Sequence, residues 1–457
     1  MNFGNTPKAS LPPGLPIEEL MALLKSAAEM LTASHPVLRV QLPINELDPL
    51  AWLQDQNGFP KIYWRDRDHA VEMAGLGVTH CVSHTSHEEP LFAALRNNLS
   101  CGHPDLRYYG GLSFLPNADP VWGSFGICSF VIPRFEILKK DGDTYFACNW
   151  LRQNPQETDA ELDALAAQLR QVAMPVHARK RQHPAVLSRQ DLPDKANWTD
   201  GIEQILHAID RHELDKVVLA RATYLEVEGS PDAFQLLDRL RPQANNAYLF
   251  CFQPNPDEAF LSMSPERLFK CTGGFVQSEA LAGTCPRTHS DTEDTQLGQA
   301  LLHNDKNLRE HHFVVDAIRN AFDTVCSQVR ADDKLSLAVV ADCQHLVTRI
   351  EGLLAQPNTD FDLLKVLHPT PAVGGVPTTQ ALDYIQRLEP FGRGWYAGPI
   401  GWLGYDASEF VPGIRAARID GHIITLYAGA GIVAGSDPEA EWAELETKIS
   451  AYLRVLE

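Results

Sequence analysis

Residues 215–229 read DKVVLARATYLEVEG, and the rest of the chain is organised around this stretch. Its β-branched, aliphatic and aromatic residues fit a strand, with Lys216, Val218 and Ala220 on one face. A capped helix over Trp198–Ile209 leads into it. Downstream, strands predicted near 247–253, 258–263, 275–282 and 336–341 alternate with long helices near 294–329 and 378–388. Strands near 397–402, 411–419 and 422–428 and a helix over 438–456 complete the chain. Upstream, 1–15 reads as a loose tail and 17–31 has helical apolar spacing. The runs VLRVQL, KIYW, YYGGLSFL, FGICSFVIP, FEIL and TYFAC follow, the last two flanking a Lys140-Asp141-Gly142-Asp143 turn. A helix near 157–173 and a basic, poorly periodic connector at 176–197 close this half. The pattern predicts an α+β protein of large, mostly antiparallel sheets packed with flanking helices. We divide it into residues 1–190 and 195–457, both within one body.

The 457-residue chain is 44% hydrophobic and 21% charged, enough to bury a substantial core. Its formal charge of −20 argues against nucleic-acid binding, which needs clustered Lys and Arg. An anionic substrate would therefore need local cations, and a divalent metal held by carboxylates would supply them. Nine scattered cysteines without a CxxC pair suit reduced thiols. With no apolar signal core and no membrane-length run, the expectation is a cytoplasmic protein.

Four residues stand out, each with a plain alternative. Lys216 on an apolar strand face is either an edge lysine reaching water or a desolvated amine serving as general base. Glu266, in MSPERLF just after a strand, is either a solvated turn residue or a carboxylate fixed at the strand end. Glu310 lies four residues after Lys306, and Glu444 four before Lys448, each pair on a helix. Both pairs fit surface ion pairs; the carboxylates also fit two ligands converging on a hard cation. Gly429-Ala430-Gly431 with Gly435 mimics a dinucleotide loop. Its spacing is wrong and too little chain follows for a βαβ unit. Those glycines better suit a substrate carboxylate approaching backbone amides. His311, His312 and His345 have no zinc spacing, and no GxSxG or P-loop occurs.

Together LDKVVLARA, LSMSPERLF, EALAGTCPR, HNDKNLREHHFVVDAI, LLKVLHPTPAVGGVP, LEPFGRGWYAGPIGW, IRAARI and YAGAGIVAGSDPEAEWAELETK resemble the chorismate-utilising enzymes, in family order over about 210–450. Within that family the sequence is most similar to the isochorismate synthases. Lys216 stands where a lysine activates water, and Ala282 where aminodeoxychorismate synthases carry a nucleophilic lysine. The His368–Gly375 loop has the isochorismate synthase form, and PLAWLQDQNGFPKIYW is similar to the menaquinone branch. A salicylate synthase is the near alternative.

The resemblance implies Lys216 as general base for water attack at C2 and Glu266 as general acid for the departing C4 hydroxyl. Glu310 and Glu444 would hold Mg²⁺. Arg415 and Lys448 would meet the carboxylates of chorismate, with backbone amides near Gly283-Thr284 and Gly429–Gly431. His345 and Tyr396 would line the pocket. No glutaminase subunit, nucleic acid or membrane partner is expected.

Overall fold

The computed structural model describes residues 17–28, 37–84, 103–116, 119–154, 156–173, 184–288, 290–340, 343–357 and 359–456, and isolated positions between 92 and 99. The loose-tail reading of 1–15, the end of the 17–31 helix and residues 176–183 of the basic connector lie outside them.

Two large sheets dominate the described residues, one of 12 strands and one of 10, and their pairings are antiparallel. Lys216–Val227 is an inner strand of the first. It pairs over ten positions with Ile423–Ile432 and on its other side with Val186–Leu192 and Gly375–Val376. The connector reading is corrected here. Residues 186–192 are largely exposed, which hides their periodicity, yet they form a strand at the sheet margin.

Both halves of the chain build both sheets. Lys61–Arg65 pairs with Tyr248–Gln253 in the first, and Tyr108–Leu112 with Pro399–Leu403 in the second. Aromatic residues from the two halves fill the first sheet's core. Trp395 packs against Phe125, Phe252 and Phe260 with ring centroids 5.4 to 6.0 Å apart.

The single helix expected over 294–329 is two, Asp291–Leu301 and Asp305–Val325, followed by a strand, Cys326–Ala331. Asn304 ends the continuity: its side chain accepts the Asn307 amide at 3.0 Å and starts a new helix. The strand expected over 411–419 is likewise divided, into Ala407–Pro412 and Ala416–Asp420, with Arg415 in the left-handed region at φ 48°. Cys343–Leu354 is a further 12-residue strand that the sequence pattern did not suggest. The helices Thr378–Leu388 and Pro438–Leu456 fall where expected. No helix among the described residues is long and apolar enough to cross a membrane.

Candidate active site

Lys216 begins its strand completely buried, so the edge-lysine alternative fails. The HPTPAVGG loop closes over it: Gly374 O accepts the Val218 amide at 2.7 Å, and Gly375 lies against Val217. A Cβ on Gly375 would collide with the Lys216 carbonyl, which is why the loop needs glycine there. Beneath the strand, Glu389 accepts the Ala220 amide at 2.8 Å and pairs with Arg393, whose guanidinium reaches Val218 O at 2.7 Å. Burial pushes Glu389 up and Arg393 opposes it. This locked pair holds the backbone on which Lys216 stands.

The Lys216 side-chain nitrogen donates to Glu310 Oε1 at 2.9 Å. Glu310 comes from the Asp305–Val325 helix. A Cβ on Gly431 would lie 2.6 Å from Glu310 Oε1 and 3.0 Å from Lys216 Cε, so glycine makes room for both. On the Pro438–Leu456 helix, Lys448 pairs with Glu444 at 2.6 Å and donates to Gly429 O at 2.8 Å. Lys306 does not bind Glu310 four residues along its helix; it crosses to Glu441 at 2.7 Å. Burial lowers the Lys306 ammonium pKa, and the Glu441, Glu310 and Glu444 carboxylates together outweigh that. One ammonium thus senses all three carboxylates, and the two helices converge. Burial raises Glu444, but Lys448, Lys306 and His345 prevail and hold it below the usual carboxylate value.

Glu266 is buried, which removes the solvated-turn alternative. Burial first, and Glu279 second, push its carboxyl up to about 8 against the pull of Lys216. It is therefore protonated at neutral pH, close to a buried lysine.

A bulge aims the opposite wall. The register between Phe275–Pro286 and Cys343–Leu354 shifts between Ala282 and Thr284, and Gly283 takes a φ of +79° there. Thr284 Oγ1 then meets His345 Nδ1 at 3.0 Å. Burial, then Arg415 and Lys448, pull the His345 imidazole down to about 3, so it is neutral. Its Nε2 is buried with no hydrogen-bond partner among the described residues. Arg415 spends its carbonyl on Met263 N and Tyr452 Oη. Its guanidinium touches only Cys343 Sγ, at 3.8 Å, and has no carboxylate partner among the described residues. Tyr396 is buried, stacked on Tyr427 at 5.1 Å, and a Cβ on Gly429 would approach its hydroxyl to 2.9 Å. Gly429 and Gly431 belong to a continuous antiparallel strand, not a strand-to-helix turn, which disposes of the dinucleotide-loop mimic.

Residues 22–457 match the family model described as chorismate binding enzyme. The chain is 34% identical to isochorismate synthase MenF of Escherichia coli over 95% of this chain and 97% of that one. Its fold superposes on that enzyme's structure, titled the menaquinone-specific isochorismate synthase, with a TM-score of 0.85, 30% identity, and 96% and 100% of the two chains covered. The MenF isochorismate synthase of Bacillus subtilis is 35% identical over 76% of this chain and 74% of its own.

The chain belongs to the chorismate binding enzyme family.

In this member of the family, several residues around the cleft had no signal in spacing. Glu441 was visible only as part of a helix, and the spacing of Lys306 suggested Glu310 as its partner where the structure gives Glu441. Glu389 and Arg393 stand in the LEPFGRG block without an obvious reason for their charge. Arg67 and Glu279, 212 positions apart, form an ion pair behind Glu266. An i,i+4 Glu–Arg spacing in a Gly- and Pro-containing loop would have been the usable clue for Glu389 and Arg393; the others had none.

Proposed function

We propose that this chain is an isochorismate synthase, converting chorismate reversibly to isochorismate in menaquinone biosynthesis. The observation that carries the reading is a buried lysine, Lys216, close enough to pull on a buried carboxyl, Glu266, that burial nevertheless keeps protonated at neutral pH. Two titratable groups with such different environments suit a base and an acid acting on opposite sides of one substrate.

Lys216 takes a proton from the water that attacks C2. The ring double bond shifts, the C4–O bond breaks, and Glu266 gives its proton to that oxygen, which leaves as water. One water enters and one departs, so substrate and product are isomers and the reaction runs both ways. Ala282 brings no amine to this wall, so no lysine nucleophile stands there, and the resemblance of the Lys216 block to water-activating enzymes favours water. Arg415, with a guanidinium free of carboxylates among the described residues, and Lys448 bind the substrate's carboxylates, with the amides around Gly283-Thr284 and Gly429–Gly431. His345 offers Nε2 to a polar group of the substrate, and Tyr396 walls the pocket.

Glu310 and Glu444 would hold Mg²⁺. Both are hard oxygen donors, and the cradle at Gly431 leaves Glu310 room. No group of three or more His, Cys, Asp and Glu side chains suited to a metal occurs among the described residues. Two carboxylates leave positions for water and substrate, as Mg²⁺ prefers. Bound there, the ion supplies positive charge opposite the ring carboxylate, which a chain of net charge −20 otherwise lacks.

The test is incubation with chorismate and Mg²⁺, without ammonia or a lyase. Isochorismate should accumulate to an equilibrium reached from either side. Salicylate with pyruvate would replace this reading by a salicylate synthase, and an ammonia-dependent product by an aminating enzyme.

A further inference from the structure

The turn that carries Glu266 is tied on both sides to one ion pair. Arg67, just beyond the Lys61–Arg65 strand, donates to the carbonyl of Pro265 at 3.4 Å and forks onto Glu279, with Nη2 to Oε2 at 2.6 Å. Glu279 in turn accepts the backbone amide of Arg267 at 3.2 Å. The carbonyl before Glu266 and the amide after it therefore rest on the same salt bridge. Glu279 is buried, on the face of its strand shared by Leu281 and Gly283. The Arg67 guanidinium lies 5.7 Å from the ring of Tyr248, whose hydroxyl and Glu409 hold the Arg267 side chain. A cavity of about 490 Å³ opens over the pair, with Pro265, Glu279 and Leu281 at its buried end and Asp68 and Arg349 at its rim.

We propose that Glu279 and Arg67 are positioning residues for the general acid, fixing the 264–267 turn and the charge that Glu266 faces. This rests on the reading of Glu266 as the acid. The charged groups around that carboxyl are Lys216 from the inner strand, Glu279 from the bulged strand, and Arg67 and Arg267 behind the turn. Lys216 favours the ionised form of Glu266, and Glu279 opposes ionisation. Arg67 is the counter-ion that keeps Glu279 in place. Through Arg67 the N-terminal half reaches the turn that carries Glu266.

The pH profile of kcat separates this role from simple support of the fold. Glu279→Gln keeps the size and an acceptor but removes the negative charge and leaves Arg67 unpaired. Its basic limb should move to lower pH, with kcat at pH 8 down about tenfold and KM for chorismate nearly unchanged. Arg67→Gln leaves Glu279 as an uncompensated anion, and its limb should move to higher pH. Arg67→Lys keeps the charge and should hold the limb near the wild-type position. Each variant is checked for a wild-type melting profile. Limbs that move in opposite directions in folded variants sustain the proposal. Unmoved limbs, or movement in one direction only, overturn it. Glu266→Gln distinguishes the two layers. If that variant turns over normally, the acid assignment itself is wrong. If it is inactive while the limb of Glu279→Gln stays put, only the positioning role fails.

Discussion

Lys306 and Glu441 clasp two helices across the fold, 2.7 Å apart and 135 residues apart in sequence. The clasp sets Glu310 and Glu444 within the field of the Lys306 ammonium, each one turn from a member of the pair. Lys306→Met would leave Glu441 buried without its partner. The expected cost is about 1–3 kcal/mol of stability, read as a lowered denaturation midpoint, together with a higher Mg²⁺ requirement. An unchanged midpoint would mean that the helices are held elsewhere.

Lys216→Ala is expected to lower kcat by about 10²–10⁴-fold, while Mg²⁺-dependent binding of chorismate persists in calorimetry. Near-normal turnover would remove Lys216 from the chemistry.

The raised Glu266 carboxyl makes two linked expectations. Turnover needs its proton, so kcat should fall as pH rises through about 8, and Glu266→Gln should be inactive at every pH. The unfolded chain releases that proton near 4.5, whereas the folded chain keeps it to about 8. Between these values the folded state binds more protons, so rising pH destabilises it through this group. Glu266→Gln should therefore be more stable than wild type at pH 7.5, by at most about 4 kcal/mol. A lower melting point would contradict the buried, protonated carboxyl.

Gly431→Ala would drive a methyl toward Glu310 Oε1 and Lys216 Cε. The Mg²⁺ concentration for half-maximal activity should rise about tenfold, with the fold intact by circular dichroism. Chelation should abolish wild-type turnover, and added Mg²⁺ should restore it. Activity that survives chelation would exclude the metal role of Glu310 and Glu444.

Elements with local punctuation were legible in the sequence. Asp437-Pro438 marks the last helix, and the Lys216 strand declares itself by a long β-forming run. The strand Cys343–Leu354 was not legible, because His345, Thr348, Arg349 and Glu351 interrupt its apolar pattern where it borders the cleft and the surface. The four residues at the heart of the site were visible as residue types, but their convergence was not. Burial of Lys216 depends on a loop 160 positions away, and the protonation of Glu266 on its own burial first and on Glu279 second. Both are tertiary facts with no spacing to betray them. Family resemblance bridged the gap because it transmits the outcome of folding without deriving it.

The shared sheets have a consequence for how this protein can be cut, fused or recombined. Removing residues 37–151 would strip partners from Tyr248–Gln253 in one sheet and Pro399–Leu403 in the other, baring two hydrophobic edges at once. The catalytic segment is therefore no portable cassette, and a minimal enzyme begins at the first paired strand, not at Lys216. Sequence drift in the first half is bounded by the need to keep both margins covered.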